Sequence, residues 1–330
     1  MGGNALKDVE TRRYDADEYY RLRCEVEDKL MELFPLCRTA VLRAYKNKPT
    51  FGDMDILIDS KFLPDHYIEM IDDDFSPRQI FKNGNCLSFE YKQFQIDLII
   101  TTPDEFNTSR QYYSFNDLGN LLGRVAHSMG LKLGHDGLSF NWRIDTYQFR
   151  NKVLLTEFKD ILLVLGYSWS RYSDGFDDLT DIFEFVVSSP FFNKEIFMLE
   201  NRNHTSRVRD TKRKTYTQFL EWLETKEDLP AYPKKADKSE WLPYLFEKIN
   251  GFQKLYDGVM VEWNNAVLYK IKFNGNIVRE ITGLDGKELG EFMKYTKMYH
   301  PCLYDIDFVL TADEQTINNI ISLLFRLWKL

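Results

Sequence analysis

Phe51-Gly52-Asp53-Met54-Asp55-Ile56-Leu57-Ile58-Asp59 is the stretch of sequence that decides the predicted fold. Apolar residues alternate along it after a bend at Gly52, which is typical of a buried β-strand. Asp53 and Asp55 lie two residues apart, so their side chains project from the same face of that strand. Two carboxylates held so close repel each other unless a cation lies between them. The stretch therefore predicts a site for Mg²⁺ (or Mn²⁺), which prefers carboxylate oxygens and also binds phosphate.

A third acid lies on a second predicted strand. Residues 86–100 indicate a hairpin with its turn at Lys92-Gln93, and Asp97 interrupts the apolar second strand of this hairpin. A carboxylate on a buried strand needs a partner. A structural salt bridge is one explanation. The explanation we favour, given the two acids upstream, is that the strands are neighbours and Asp97 completes a three-acid cluster.

Candidate phosphate-binding residues precede the two acids. Arg43 lies in a short predicted strand over residues 38–45, and Lys46 and Lys48 lie in the turn that follows it. Carboxylates that bind a metal ion and cationic side chains that bind phosphate groups are together suited to a metal-bound triphosphate. Gly2 and Gly3 are further candidates, because a Gly-Gly pair permits close approach of the backbone to a phosphate. A loose terminus is the alternative explanation for that pair.

The second half of the chain carries a concentrated basic run. Residues 202–214 hold six Lys or Arg against one Asp, a local charge of +5 in a chain of net charge −8. On a single helix, Arg202, Arg209 and Arg213 would lie near one face, where they would contact the phosphates of a nucleic acid. A solvated charge run is the alternative. The predicted nucleic-acid contacts are Arg202, Arg207, Arg209, Lys212, Arg213 and Lys214.

A glycine-containing turn near the C-terminus is the last candidate site. Gly283-Leu284-Asp285-Gly286-Lys287 precedes a predicted helix, whose first backbone N–H groups suit a phosphate. The turn is similar to a helix-hairpin-helix turn. Gly283, Gly286 and Lys287 are therefore predicted to contact nucleic acid, with an ordinary connection between two helices as the alternative.

These motifs together resemble a known group of enzymes. Gly52-Asp53-Met54-Asp55-Ile56-Leu57 followed by Gln95-Ile96-Asp97-Leu98 resembles the nucleotidyltransferase superfamily, and most closely the DNA polymerase beta-like (family X) polymerases. Residues 114–138 strengthen the resemblance with a helix rich in small residues, a glycine and two short strands. It covers roughly residues 38–140. The C-terminal part is similar to that of bacterial CCA-adding tRNA nucleotidyltransferases.

The resemblance has one departure. The family grips the triphosphate with a Gly-Ser pair, which would fall near Arg43-Ala44 in this chain. Either Arg43, Lys46 and Lys48 or the pair Gly2-Gly3 would then take over that task.

The resemblance implies a fold, a reaction and a cofactor. The fold is α+β, with a mixed sheet flanked by helices and followed by a mainly helical C-terminal domain. The reaction transfers a nucleotide from an NTP or dNTP, such as ATP, to the 3′ end of a nucleic acid, either RNA such as tRNA or DNA. Asp53 and Asp55 would hold one metal ion, and Asp97 would share a second ion that activates the 3′-hydroxyl.

Three alternatives stay open for the function. The same core transfers nucleotides to small molecules or proteins, as in adenylylation, and it also makes oligonucleotide second messengers. A third alternative is an interaction protein that has the fold but no catalysis. The basic run and the glycine turn favour a nucleic-acid acceptor, and the presence of all three acids favours an enzyme.

Length and composition set the remaining expectations. The 330 residues suffice for two domains, which we expect at 1–150 (catalytic) and 151–330 (helical and nucleic-acid-binding). No apolar run reaches the roughly 20 residues of a membrane helix, and no secretory signal begins the chain. The four scattered cysteines fit reduced thiols in a cytoplasmic protein without a membrane partner. The acidic net charge disfavours a protein that coats nucleic acid.

Overall fold

The structure, a computed structural model, describes residues 5–144, 147–229, 235 and 237–330. Gly2 and Gly3, two of the predicted phosphate contacts, lie outside the described residues. The chain forms two compact units, Met1–Ile249 and Asn250–Leu330. This division differs from the predicted boundary after residue 150. Helices that follow residue 150 belong to the first unit because they pack on it: the Tyr172 hydroxyl, for example, donates to the Gln111 carbonyl at 2.6 Å.

The first unit contains every strand that the structure describes. The strands are β1 (Tyr14–Asp15), β2 (Thr39–Val41), β3 (Thr50–Phe51), β4 (Asp53–Asp59), β5 (Ile80–Asn83), β6 (Cys86–Tyr91), β7 (Phe94–Thr101), β8 (Leu131–Gly134), β9 (Gly137–Ile144) and β10 (Tyr147–Leu155). The helices of this unit are α1 (Ala16–Leu33), α2 (Tyr67–Phe75), α3 (Phe106–Tyr113), α4 (Leu118–Ser128), α5 (Phe158–Val164), α6 (Trp169–Asp174), α7 (Leu179–Val187), α8 (His204–Thr211), α9 (Lys214–Glu224) and α10 (Leu242–Lys248).

The main sheet has five strands in the order β2-β4-β7-β6-β5. Strands β4 and β7 are parallel and the other neighbours are antiparallel, so the sheet is mixed. The apolar residues of β4 are buried, as are Phe94, Ile96 and Leu98 of β7, which accounts for the apolar runs of both strands in the sequence. Strands β8, β9 and β10 form a separate antiparallel sheet, and β1 pairs with β3. The predicted α+β class with a mixed sheet flanked by helices is confirmed.

Local sequence accounts for the two elements that hold this sheet in place. Helix α1 begins with a capping box: the Asp15 carboxylate accepts the Glu18 N–H, and the Glu18 carboxylate accepts the Asp15 N–H. Its buried residues recur at helical spacing and pack in the core of the sheet. The hairpin of β6 and β7 turns at Lys92 and Gln93, as predicted. Both residues have positive φ, 51° and 60°, as a two-residue type I′ turn requires.

The second unit is helical. Its helices are α11 (Phe252–Lys272), α12 (Gly275–Thr282), α13 (Gly286–Tyr299), α14 (Ile306–Thr311) and α15 (Glu314–Trp328). They surround an apolar core of their own that includes Phe292 and Ile317. The predicted helical C-terminal region is thus confirmed. Within the described part of the chain, no helix has the length and apolar character needed to cross a membrane.

Candidate active site

Three carboxylates converge at one end of the parallel pair β4 and β7. The register of these strands places Asp55 beside Asp97 and Asp53 beside Gln95. One carboxylate oxygen from each of Asp53, Asp55 and Asp97 lies within 4.8 Å of the others. The predicted three-acid cluster is therefore present. It forms because the parallel pairing aligns two strands that are far apart in sequence, so that acids on the same face meet.

Burial and neighbouring charges raise the pKa of two of these acids, Asp55 and Asp97. Burial raises the pKa of Asp55 to about 8, and the charges of Asp53 and Asp97 add to this effect. Burial also raises the pKa of Asp97; a hydrogen bond from Ser88 opposes the shift and the charge of Asp53 reinforces it. Carboxylates this close cannot all ionise without a compensating cation. The geometry thus suits a hard divalent ion with oxygen ligands.

Gln95 and Ser88 hold the third acid in place. The Gln95 side-chain amide donates to both carboxylate oxygens of Asp97, each at 2.9 Å. Its own carbonyl oxygen accepts the Ala5 N–H at 3.0 Å, which links the N-terminal segment to the cluster. Ser88 lies opposite Asp97 on strand β6. Partners of this kind orient metal-binding carboxylates and tune their affinity.

Two cationic side chains lie beside the acids. Lys48 is half-buried, with its ammonium 4.7 Å from the ring centre of Phe51. Burial lowers the pKa of Lys48, whereas the nearby charges of Asp53 and Asp55 act to raise it. Arg13 donates to the Thr50 hydroxyl at 3.1 Å and to the Thr50 carbonyl at 2.9 Å. These contacts bring an exposed guanidinium to the same edge of the sheet.

Gly52 lies against the Arg13 side chain. A Cβ atom at position 52 would lie 2.8 Å from Nη1 of Arg13, which is the far end of an exposed and flexible side chain that can move aside. The direct neighbour of the predicted nucleotide contact Gly52 is therefore a protein side chain.

The other two predicted phosphate contacts have different neighbours. The Arg43 guanidinium donates to Gln111 at 2.8 Å and to the Ser173 carbonyl at 3.1 Å, and it lies over the ring of Phe115. It is a packed structural group and does not face the acids. Lys46 forms an exposed ion pair with Asp177 at 2.8 Å. Lys48, by contrast, lies near the acids, and the charges of Asp53 and Asp55 act to raise its pKa.

The basic run is divided between two helices, α8 and α9, and is not one helical face. Arg202 precedes α8 and does not lie on the predicted surface: its guanidinium is buried against the Asp210 carboxylate, 2.7 Å away. The sequence shows that Arg202 and Asp210 carry opposite charges. Their burial, which the sequence does not show, makes them an internal ion pair. Arg213 ends the break between the helices and pairs with Asp117 at 2.5 Å. The remaining predicted contacts of the run, all exposed, are Arg207, Arg209, Lys212 and Lys214.

Replacing Arg202 with methionine is expected to destabilise the protein rather than only weaken nucleic-acid binding. The side chains of Arg202 and Asp210 are 2% and 0% exposed, and the substitution leaves Asp210 with only the half-exposed Arg209. We expect a loss of about 3 kcal/mol in the free energy of unfolding, measured with denaturant. Arg207→Gln, at an exposed position, is the control and should change stability by less than about 0.5 kcal/mol. Equal stabilities for the two variants would contradict the structural role.

The C-terminal glycine turn is explained by backbone conformation. Gly283 ends α12 with φ of 74° and Gly286 has φ of 51°, a region that favours glycine. The Asp285 carboxylate already accepts the Gly286 N–H at 2.8 Å, so an acid occupies the start of α13 where a phosphate was predicted. Lys287 is 91% exposed in its side chain and lies 3.7 Å from Glu291. The alternative of an ordinary connection between helices fits these contacts better.

Residues of the site that the sequence did not identify are Gln95 and Ser88. Gln95 has a signal: it is polar, on a buried strand, and two residues before Asp97, so it shares the face of that acid. Ser88 has none, because its position opposite Asp97 depends on strand pairing. No protein-family model matches the chain, and a search of curated proteins finds no match to it.

Proposed function

We propose that this protein is a metal-dependent nucleotidyltransferase that adds a nucleotide from an NTP or dNTP to the 3′ end of a nucleic acid. One observation carries the proposal: the carboxylates of Asp53, Asp55 and Asp97, from two parallel strands, share a space of less than 5 Å. A mixed sheet with such a cluster at one end supports assignment of the first unit to the nucleotidyltransferase superfamily.

The donor set fits Mg²⁺ or Mn²⁺. All three ligand atoms are carboxylate oxygens. Burial, and after it the charges of the neighbouring acids, raises the pKa of Asp55 and of Asp97, and a divalent cation would compensate the buried negative charge. Asp53 and Asp55 would hold one ion, and Asp97 would share a second. When bound, the metal supplies charge neutralisation at the phosphates and at the reacting hydroxyl.

Residues of this chain carry the remaining roles in the proposed reaction. The acceptor 3′-oxygen forms a bond to the α-phosphorus, the bond from that phosphorus to the β-phosphate oxygen breaks, and pyrophosphate leaves. Asp97 accepts the proton of the hydroxyl as the general base in this scheme. Arg13 and Lys48, beside the acids, stabilise the negative charge of the triphosphate.

The thiols fit the proposed cytoplasmic location. All four cysteines, Cys24, Cys37, Cys86 and Cys302, are free. Burial and the charges of Asp97, Asp55 and Asp53 raise the pKa of Cys86 to about 11. This thiol therefore stays protonated beside the cluster, and it is not proposed as a nucleophile.

The proposal is tested by incubating the purified protein with Mg²⁺ and each labelled NTP and dNTP in the presence of tRNA, single-stranded DNA or gapped duplex DNA. We expect one acceptor to be lengthened, with one pyrophosphate released for each nucleotide added. Labelling of a protein or small molecule instead would support the alternative acceptors. Absence of pyrophosphate release under every condition would exclude the enzyme assignment.

A further inference from the structure

The acid cluster belongs to a row of side chains that crosses one face of the main sheet. The register pairs Asp55 with Asp97 on β7, Asp97 with Ser88 on β6, and Ser88 with Phe81 on β5. Residues directly opposite each other on paired strands point to the same face of the sheet. Phe81, Ser88, Asp97 and Asp55 therefore form one row, which ends at the edge strand β5. We call these four residues the acid row.

Phe81 is the exposed end of the acid row. Its relative exposure is 45%, whereas Ser88 and Asp97 are buried. Neighbouring strands lie about 4.8 Å apart, so two strand spacings, roughly 10 Å in all, separate the backbone of Phe81 from that of Asp97. A single exposed apolar residue is common on protein surfaces and indicates nothing by itself. Phe81 is distinguished by its register with the acids, because its ring lies on the face to which they point.

The N-terminal segment crosses the same face of the sheet beside the acid row. The Ala5 N–H donates to Oε1 of Gln95 on β7, and the Asp8 N–H donates to Oε1 of Gln79 directly before β5, each at 3.0 Å. Each of these glutamines lies two residues before a member of the acid row on its own part of the chain, so both belong to the neighbouring row. Residues 5–8 therefore follow the acid row from β7 to β5 and border it on that side.

The positions of the cations assign two sides of the acid cluster to the two substrates. Arg13 and Lys48, which stabilise the triphosphate in the proposed reaction, contact the residues of β3, and β3 lies just before Asp53 in the chain. In an in-line transfer the attacking and leaving oxygens lie on opposite sides of the phosphorus atom. If the leaving pyrophosphate lies against these cations, the acceptor hydroxyl approaches from the side of Asp97, along the acid row.

A nucleoside matches the separation between Asp97 and Phe81. When the 3′-hydroxyl of a terminal nucleotide is at Asp97, its base lies several ångströms away, within reach of a ring whose backbone is roughly 10 Å from that acid. Stacking of bases on aromatic side chains is a general mode of binding single-stranded nucleic acids, and it tolerates every base because each has a flat face. An exposed Phe ring in this row therefore has the chemistry and the position to hold the last base of the acceptor.

We propose that Phe81 stacks on the base of the 3′-terminal nucleotide of the acceptor and so positions the hydroxyl of that nucleotide at Asp97. This inference rests on the proposed function and deepens it by naming the acceptor class, a single-stranded 3′ end. Stacking does not distinguish the hydrogen-bonding edges of the bases, so the acceptor is bound with little preference for its last base.

The test is a double-mutant cycle that measures binding without catalysis. A labelled single-stranded oligonucleotide, and the same oligonucleotide without its 3′-terminal base, are titrated with the full chain by fluorescence anisotropy. Mg²⁺ is present and the nucleoside triphosphate is omitted, so no transfer occurs. Removal of the base should weaken binding to the wild type about tenfold. Phe81→Ala should weaken binding of the intact oligonucleotide by a similar factor and abolish the effect of removing the base.

Other variants separate stacking from general apolar contact and from loss of structure. Phe81→Trp keeps a flat ring and should retain binding. Phe81→Leu keeps an apolar side chain on the strand but has no ring, and it should bind as weakly as Phe81→Ala. The matched control is Phe62→Ala, because Phe62 is also exposed, at 53%, but follows the opposite end of β4 from the acids. We expect this control to leave the affinity for both oligonucleotides unchanged.

The outcomes distinguish this inference from the proposed function. If transfer occurs, Phe81→Ala should raise the KM for the oligonucleotide and leave the KM for the nucleotide unchanged. Binding that depends on both the ring and the terminal base would support the inference even if no transfer is found. An equal effect of base removal in the wild type and in folded Phe81→Ala would overturn it, with transfer still supporting the proposed function. A rise in the KM for the nucleotide alone would also overturn it, because the ring would then contact the donor.

Discussion

Replacement of Asp97 by asparagine is expected to reduce nucleotide transfer by about a thousandfold or more. The substitution keeps the shape of the side chain but removes the charge that holds a metal ion and takes up the proton. Metal ions contribute several kcal/mol to transition states of this kind, and each 1.36 kcal/mol corresponds to about tenfold in rate. The oxygen of the new amide can still accept from the Gln95 side chain, and its NH2 group, for which the Gln95 amide nitrogen cannot serve as an acceptor, can donate to the Ser88 hydroxyl. The measurement is single-turnover transfer at saturating nucleotide and Mg²⁺.

Asp59 offers the matched control for this variant. It is also a buried carboxylate on β4, but it lies at the opposite end of the strand, in an ion pair with Arg38 at 2.7 Å. Asp59→Asn is expected to lower stability by about 1–3 kcal/mol and to retain transfer. Asp97→Asn should show the reverse, with full stability and no activity. Transfer that survives in folded Asp97→Asn would contradict the assigned role of this acid.

The metal-free protein is expected to lose stability as the pH rises from about 4 to about 8. The folded state raises the pKa of Asp55 from 3.8 to about 8, so over this interval it binds a proton that the unfolded chain has released. Stability therefore falls with increasing pH and is greatest below the unfolded pKa. We expect a change on the order of 3 kcal/mol, less than the full shift implies because solvent relaxes around the site.

Mg²⁺ should reverse this loss. Metal binding requires deprotonated carboxylates, so the gain in melting temperature from Mg²⁺ should be small at pH 5 and large at pH 8. At 100 times the dissociation constant, the gain corresponds to about 2.7 kcal/mol. Thermal unfolding in EDTA and in Mg²⁺ at the two pH values is the measurement. Asp55→Asn should flatten the pH dependence and abolish the metal effect; equal Mg²⁺ gains in the wild type and this variant would count against the site.

Local patterns in the sequence were sufficient for the parts of the fold that depend on near neighbours. The alternation around Asp53 and Asp55, the turn at Lys92-Gln93 and the isolated Asp97 predicted the strands and their acids, and the structure has all of them. The pairing of the two strands followed from a physical constraint, since a carboxylate on an apolar strand needs a partner. Each of these predictions depends on residues that are close in sequence and on one main physical cause.

The less successful predictions depended on burial and on distant contacts. The charges of Arg43 and Arg202 are plain in the sequence, but the Ser173 carbonyl and the Asp210 carboxylate that hold them are set by packing. The sequence of a basic run does not show whether its side chains face solvent or pair with a buried acid.

The loop that carries Lys48 is hydrogen-bonded to residues 176–177, which are distant in the sequence. The Lys46 N–H donates to the Phe176 carbonyl and the Asn47 N–H to the Asp177 carbonyl, each at 2.9 Å. Local opening of this loop must therefore break contacts with residues 176–177, so both segments should exchange their amide hydrogens as one cooperative foldon. A fragment that stops near residue 150 would leave the loop without these anchors. A piece of the chain in which Lys48 keeps its place beside the acids must therefore extend beyond Asp177.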